Sequence, residues 1–163
     1  MKTLLTISIV ACLSFVAWLT VATVRHIQFT QQCGGYLQRA ARANTIELAE
    51  REMTIAVSYL ERHGITSGYT SVFWCTPDED VGFWYRNLSA ALAELRSIDA
   101  HASALERSNV LLKLRETLVS QEHAVPPSVS LYPYNTAFAY WGLLSFGITG
   151  MATAAAWIVD LKR

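Results

Sequence analysis

TPDEDVGFWYRNLSAALAEL, residues 76–95, is the stretch whose reading decides the fold. Its opening has the residues of a helix start. Thr76 can serve as N-cap, Pro77 suits the first helical position, Glu79 closes a capping box, and Asp78 and Asp80 favour the positive end of the helix dipole. Val81, Trp84, Leu88, Ala91, Leu95 and Ile98 then recur at steps of three and four, forming one apolar stripe. A lone helix cannot bury such a stripe, so the chain must supply partner helices, and an all-α bundle is expected. Three consecutive carboxylates could also bind a hard cation. They lack the alternate spacing of a calcium loop, and the capping role accounts for all of them, so no metal or cofactor is expected.

Upstream, Tyr36 to His63 reads as helix, with Ile46, Ala49, Met53, Ala56, Val57 and Leu60 facing the core and Glu47, Glu50, Arg51, Glu61 and Arg62 facing water; Gly64 is the C-cap candidate. Residues 65–75, ITSGYTSVFWC, are β-branched and aromatic at their end and predict an ordered loop. Tyr69, Phe73 and Trp74 together with Phe83, Trp84 and Tyr85 concentrate aromatic area around the start of the central helix. Such a cluster is a core plug under the loop or an interaction surface, because large aromatics dominate both settings.

Downstream, the stripe could continue through Ala102 and Leu105 as one long helix. Ser103-Ala104-Leu105-Glu106 is a second capping box, however, and Asp99 to Ala102 offers a polar break, so a separate helix to about Val119 is expected, with Leu111, Leu112, Leu114 and Leu118 inward. Pro126, Pro127 and Pro133 forbid helix and predict an extended strap over 121–136.

Both ends of the chain are apolar. No charged residue lies between Thr3 and Val24 or between Ala137 and Val159, and about 20 helical residues cross a hydrocarbon core. The first run is longer than the h-region of a cleavable signal peptide, its rival reading, and no small-residue cleavage site stands out after it. Ile9-Val10-Ala11-Cys12 has the look of a lipobox, but too little apolar sequence precedes it. Aromatic residues flank the second run, with Tyr132, Tyr134, Tyr140 and Trp141 before or at its start and Trp157 near its end, as interfacial belts do. Gly142, Ser145, Thr149, Ala152 and Ala156 give that run a small-residue face for a second membrane helix, by default the first span.

The expected organisation is a transmembrane helix over 1–25, an external helical domain of about three helices over 26–136, a transmembrane helix over 137–159 and a tail over 160–163. Gly34-Gly35 would be the hinge between anchor and domain. Lys162 and Arg163 follow the second span while no Lys or Arg lies in 121–135, which places both termini in the cytoplasm and the domain outside the cell membrane, the inner membrane in a Gram-negative cell. Arg25, Arg39 and Arg42 argue the other way, but charge in a long loop influences topology weakly.

The chain of 163 residues is 52% hydrophobic and 16% charged with zero net charge, which suits a membrane protein and leaves no electrostatic footprint for nucleic acid. ARANTIELA, GYTS, TPDEDVGFWYRNL and SNVLLKLRETL resemble stretches of a group of uncharacterised bacterial two-span membrane proteins. The resemblance implies the same architecture and carries no activity with it.

Cys12, Cys33 and Cys75 have neither CxxC spacing nor a His at metal-ligand distance. If the Tyr36 helix climbs away from the membrane, its ~28 residues at about 1.5 Å each separate Cys33 from Cys75 by roughly 40 Å and both thiols are free; if residues 65–75 run back down, the two could pair. His26, His63, His101 and His123 are scattered, Gly34-Gly35 lacks the lysine of a phosphate loop, and Asn87-Leu88-Ser89 is a sequon inside a helix. No catalytic constellation emerges, so an enzyme is not expected. The favoured class is an accessory or structural subunit whose partners are the bilayer and other membrane subunits or its own copies. The alternative is a ligand sensor that signals through a partner's membrane helices.

Overall fold

A computed structural model describes residues 2–70, 75–99, 102–119 and 135–161. The expected strap, with Tyr132 and Tyr134, and residues Phe73 and Trp74 lie outside the described residues. Every described element is helical apart from an isolated antiparallel bridge between Tyr69 and Asp80.

α1, Lys2–Phe29, is apolar around its whole circumference and continues through a π-helical turn, Thr30–Gly34, into α2, Gly35–Ala41. Among the described residues this rod is the one helix long and apolar enough, by length and composition, to cross a membrane. Gly34-Gly35 is therefore not a break in the helix, which runs on past residue 25 to Ala41. The π turn has a packing reason. Phe29, Cys33 and Leu37, all buried, are spaced by four residues, and in an α-helix each such step drifts by roughly 40°. The wider turn, in which the Gly35 N–H donates to the Thr30 carbonyl, absorbs that drift and holds all three against the bundle.

The rod ends at Ala41, and Arg115 Nε donates to the Ala41 carbonyl at 3.2 Å, filling an orphan acceptor at the helix end. Thr45 then caps α3, Ile46–Arg62, through Leu48 N–H to Thr45 Oγ1 at 3.2 Å. The single helix expected from Tyr36 to His63 is thus two helices with a reversal at 42–45. α3 runs back along the rod, since Arg39 meets Glu52, Cys33 meets Ala56, and Phe29 meets Tyr59. Its six expected core residues are all buried. It closes as a Schellman turn, with Gly64 at φ 67° and the Ile65 N–H bonded to Leu60 O at 2.8 Å.

α4, Val81–Ser97, starts later than its sequence suggests. The loop after α3 pairs its backbone with the approach to α4, with Thr70 N–H to Glu79 O at 3.1 Å and Val81 N–H to Gly68 O at 2.9 Å. That pairing holds Asp80 extended, so Pro77–Glu79 forms only a 3-10 turn. Asp80 is the cap, its Oδ1 accepting from Phe83 N–H at 3.0 Å, while Thr76 Oγ1 bonds the Glu79 side chain instead of a backbone N–H. The stripe itself is as expected: Val81, Trp84, Leu88 and Leu95 are buried, joined by Leu92, with Ala91 and Ile98 half-buried.

α4 ends at Ser97, and α5, Ala104–Val119, is capped by Ser103 Oγ accepting from Glu106 N–H at 3.2 Å, so the two are separate helices, as expected. α5 buries Leu114 and half-buries Leu111 and Leu118, whereas Leu112, expected inward, is exposed because the helix packs chiefly on α2. The domain thus has three helices of its own, α3 to α5, packed on the extension of the first apolar helix. Ion pairs Arg107–Glu47, Arg96–Glu50 and Lys113–Glu94 cross between them, all at exposed positions where each stabilises little.

α6, Asn135–Leu161, contains the second apolar run and lies antiparallel along α1. Trp18 Nε1 donates to the Phe138 carbonyl at 2.7 Å, Trp141 Nε1 to Ser14 Oγ at 2.8 Å, and Phe15 meets Phe146.

Candidate functional site

α3 and α4 run antiparallel, and each carries hydroxyls one step off its apolar stripe: Thr54 and Ser58 on α3, Ser89 and Ser97 on α4. Where the two polar edges meet they leave an open groove of about 490 Å³ floored by Val57 and Leu92. Glu61 and Tyr85 stand at one end, the Tyr85 hydroxyl donating to Glu61 Oε1 at 2.8 Å. Arg96 stands at the other, its Nε donating to Glu50 at 3.2 Å and its Nη2 to Thr54 Oγ1 at 3.0 Å. Midway, the Ser89 hydroxyl is buried and without a hydrogen-bond partner among the described residues. The groove can hold and orient a polar molecule. It presents no nucleophile and base within bonding reach, and among the described residues no three His, Cys, Asp or Glu side chains are grouped to bind a metal.

The aromatic residues singled out in the sequence do not form one patch. Trp84 is core, in contact with Phe29; Tyr85 belongs to the groove; Phe83 and Tyr69 are exposed. The reason is the helical step: three successive residues at 100° each cannot share a face. The small-residue face of α6 behaves as one unit by contrast. Gly142 lies under the Trp18 ring, Ser145 and Ala152 are buried, and Thr149 is half-buried, all with α1 as the packed neighbour; the side chain of Ala156 lies outside the description.

Glu52, missed in the sequence because charge at that helical position reads as surface, is 1% exposed. Its Oε1 accepts from Arg39 Nη2 at 3.0 Å and Arg51 Nη2 at 3.1 Å, and its Oε2 is buried with no partner among the described residues. The two guanidinium groups reach in from solvent, so this is a carboxylate clamped between the end of the rod and α3. Cys33 is fully buried and Cys75 exposed, and neither is in a disulfide. The single climbing helix behind the ~40 Å inference is absent, because α3 runs back along the rod.

No family model matches the chain, and no curated protein or solved structure is similar to it. Any functional reading therefore rests on the residues themselves. The groove could have been found in the sequence: Thr54, Ser58 and Glu61 on one helix, and Tyr85, Ser89 and Arg96 on the next, recur at helical spacing beside the apolar stripes.

Proposed function

We propose that this is a two-pass membrane protein that acts by contact, as an accessory subunit of a larger membrane assembly, with its helical domain outside the membrane and both termini in the cytoplasm. The observation that carries the reading is the unbroken rod from Lys2 to Ala41. One helix is at once the partner of α6 and a wall of the bundle, so the domain is held at a set height and orientation on its anchor. A tethered binding domain on a flexible stalk has no use for that rigidity. A scaffold does.

Exposed apolar side chains along α1 and α6, among them Leu13, Val16, Leu144 and Phe146, support burial in lipid or against other membrane helices. Between the two helices an apolar groove of about 760 Å³, lined by Ile7, Val10, Tyr140 and Leu144, offers one such contact. The charge-free run of α6 supports the second span, and the Lys162-Arg163 pair supports the cytoplasmic placement.

Purification of the native protein in mild detergent, with the mass of the particle and its components measured, tests the reading. A particle of defined stoichiometry that Leu144→Trp disrupts is the expected result. A lone monomer, or one that turns over a small molecule, would overturn it.

A further inference from the structure

We propose that the α3–α4 groove binds a small organic ammonium ion whose far end carries a neutral hydrogen-bond acceptor. The inference does not depend on the accessory reading, because it concerns only the bundle.

Charge selects the head group. Glu61 forms no ion pair with any described Lys, Arg or His, whereas Arg96 is already matched by Glu50. Of the two charged side chains that line the groove, Glu61 is the one without an ion-pair partner among the described residues; Arg62, next to it on α3, donates its Nε to the Ser58 carbonyl at 3.2 Å and forms no ion pair with it. Tyr85 holds the Glu61 carboxylate at the end of the groove by their 2.8 Å hydrogen bond, and a carboxylate beside a tyrosine combines ionic and ring attraction for an ammonium group.

The middle and far end select the rest. Val57 and Leu92, both 5% exposed, give an apolar floor to a short stem. Ser89 brings a buried hydroxyl that lacks a partner among the described residues, an arrangement that costs free energy until something polar arrives. Arg96 has spent Nε and Nη2 on Glu50 and Thr54, which leaves Nη1 to donate to an uncharged acceptor and makes the site a poor receptor for a second anion. Thr54 and Glu61 are seven residues apart on α3, about 10 Å, the span of roughly three extended peptide units. The groove volume falls in the range of small-molecule sites.

The test uses the full chain in lipid nanodiscs, with alanyl-alanine amide as the probe, its N-acetyl form to remove the ammonium charge, and n-butylamine to remove the far acceptor. Saturable one-to-one binding of the amide is expected, lost on acetylation and about tenfold weaker for butylamine. Glu61→Gln should weaken the amide by about tenfold with the thermal unfolding midpoint unchanged, since the side chain is exposed. Tyr85→Phe should weaken it severalfold by freeing the carboxylate. Absence of saturable binding, or binding that survives acetylation or Glu61→Gln, would overturn the site; equal binding of butylamine would overturn the far acceptor.

Discussion

Trp18 and Gly142 meet ring to backbone: a Cβ placed on residue 142 would lie 2.4 Å from Trp18 Cε2. The glycine is there because the indole occupies the space of its side chain, while the indole N–H reaches past it to the Phe138 carbonyl. One relationship thus fixes how closely α1 and α6 approach and in what register.

Gly142→Leu should separate the two helices, lowering stability in detergent by about 1–3 kcal/mol through overpacking. Combining it with Trp18→Ala should restore part of the loss. Thermal melts followed by tryptophan fluorescence would show this, and an unchanged melt for Gly142→Leu would mean that the helices do not meet here.

The cap of α4 discriminates between two threonine- and aspartate-based readings. Asp80→Ala should destabilise the domain by about 0.5–2 kcal/mol, because Phe83 N–H loses its acceptor. Thr76→Ala removes only an exposed side-chain link to Glu79 and should stay within about 0.5 kcal/mol. Equal losses in denaturant titrations would return the helix start to Thr76.

Leu88 and Leu112 separate core from surface. Leu88 is fully buried, and Leu88→Ala should cost roughly 2–5 kcal/mol. Leu112 is 54% exposed, and Leu112→Ala should change stability by less than about 0.5 kcal/mol. Chemical denaturation of both variants checks the pair, and a large loss at Leu112 would place α5 the other way round.

Thiol accessibility tests both packing and topology. With the domain outside, an impermeant maleimide added to intact cells should label exposed Cys75 and leave buried Cys33 untouched until the protein is denatured. Cys75→Ser should abolish the native signal. Labelling that requires permeabilised cells would reverse the topology.

Tyr59 makes the domain sensitive to alkali. Burial, and secondarily the nearby Cys33, raise its pKa above the ordinary phenol value of 10.0, against a smaller lowering by Arg25. Its folded-state pKa is above the unfolded one, so its contribution is fully present below pH 10 and is lost as the pH rises through the folded value, where the unfolded chain has already released the proton. Stability should therefore fall above pH 10, and Tyr59→Phe should flatten that decline. A Tyr59→Phe profile parallel to the parent would remove the assignment.

The helices of the domain were legible because their signals are local. Ser103 and Glu106, Gly64 beside a buried Ile65, and the stripe from Val81 to Leu95 each act within one or two turns, and each appears in the structure at its expected place. The all-α class and the long apolar first helix follow from the same short-range patterns.

Tertiary contact decided the rest. A capping box at Thr76 is complete in itself, yet backbone bonds from Gly68 and Thr70, distant in sequence, outweigh it and move the cap to Asp80. Gly34-Gly35 looks like a hinge until Phe29, Cys33 and Leu37 must face one bundle, and then a π turn carries the helix through. Leu112 has the side chain of a core residue but no element opposite it among the described residues. Each helical signal is worth about 1 kcal/mol, less than the burial of a single large side chain, so wherever the two compete the packing partner prevails.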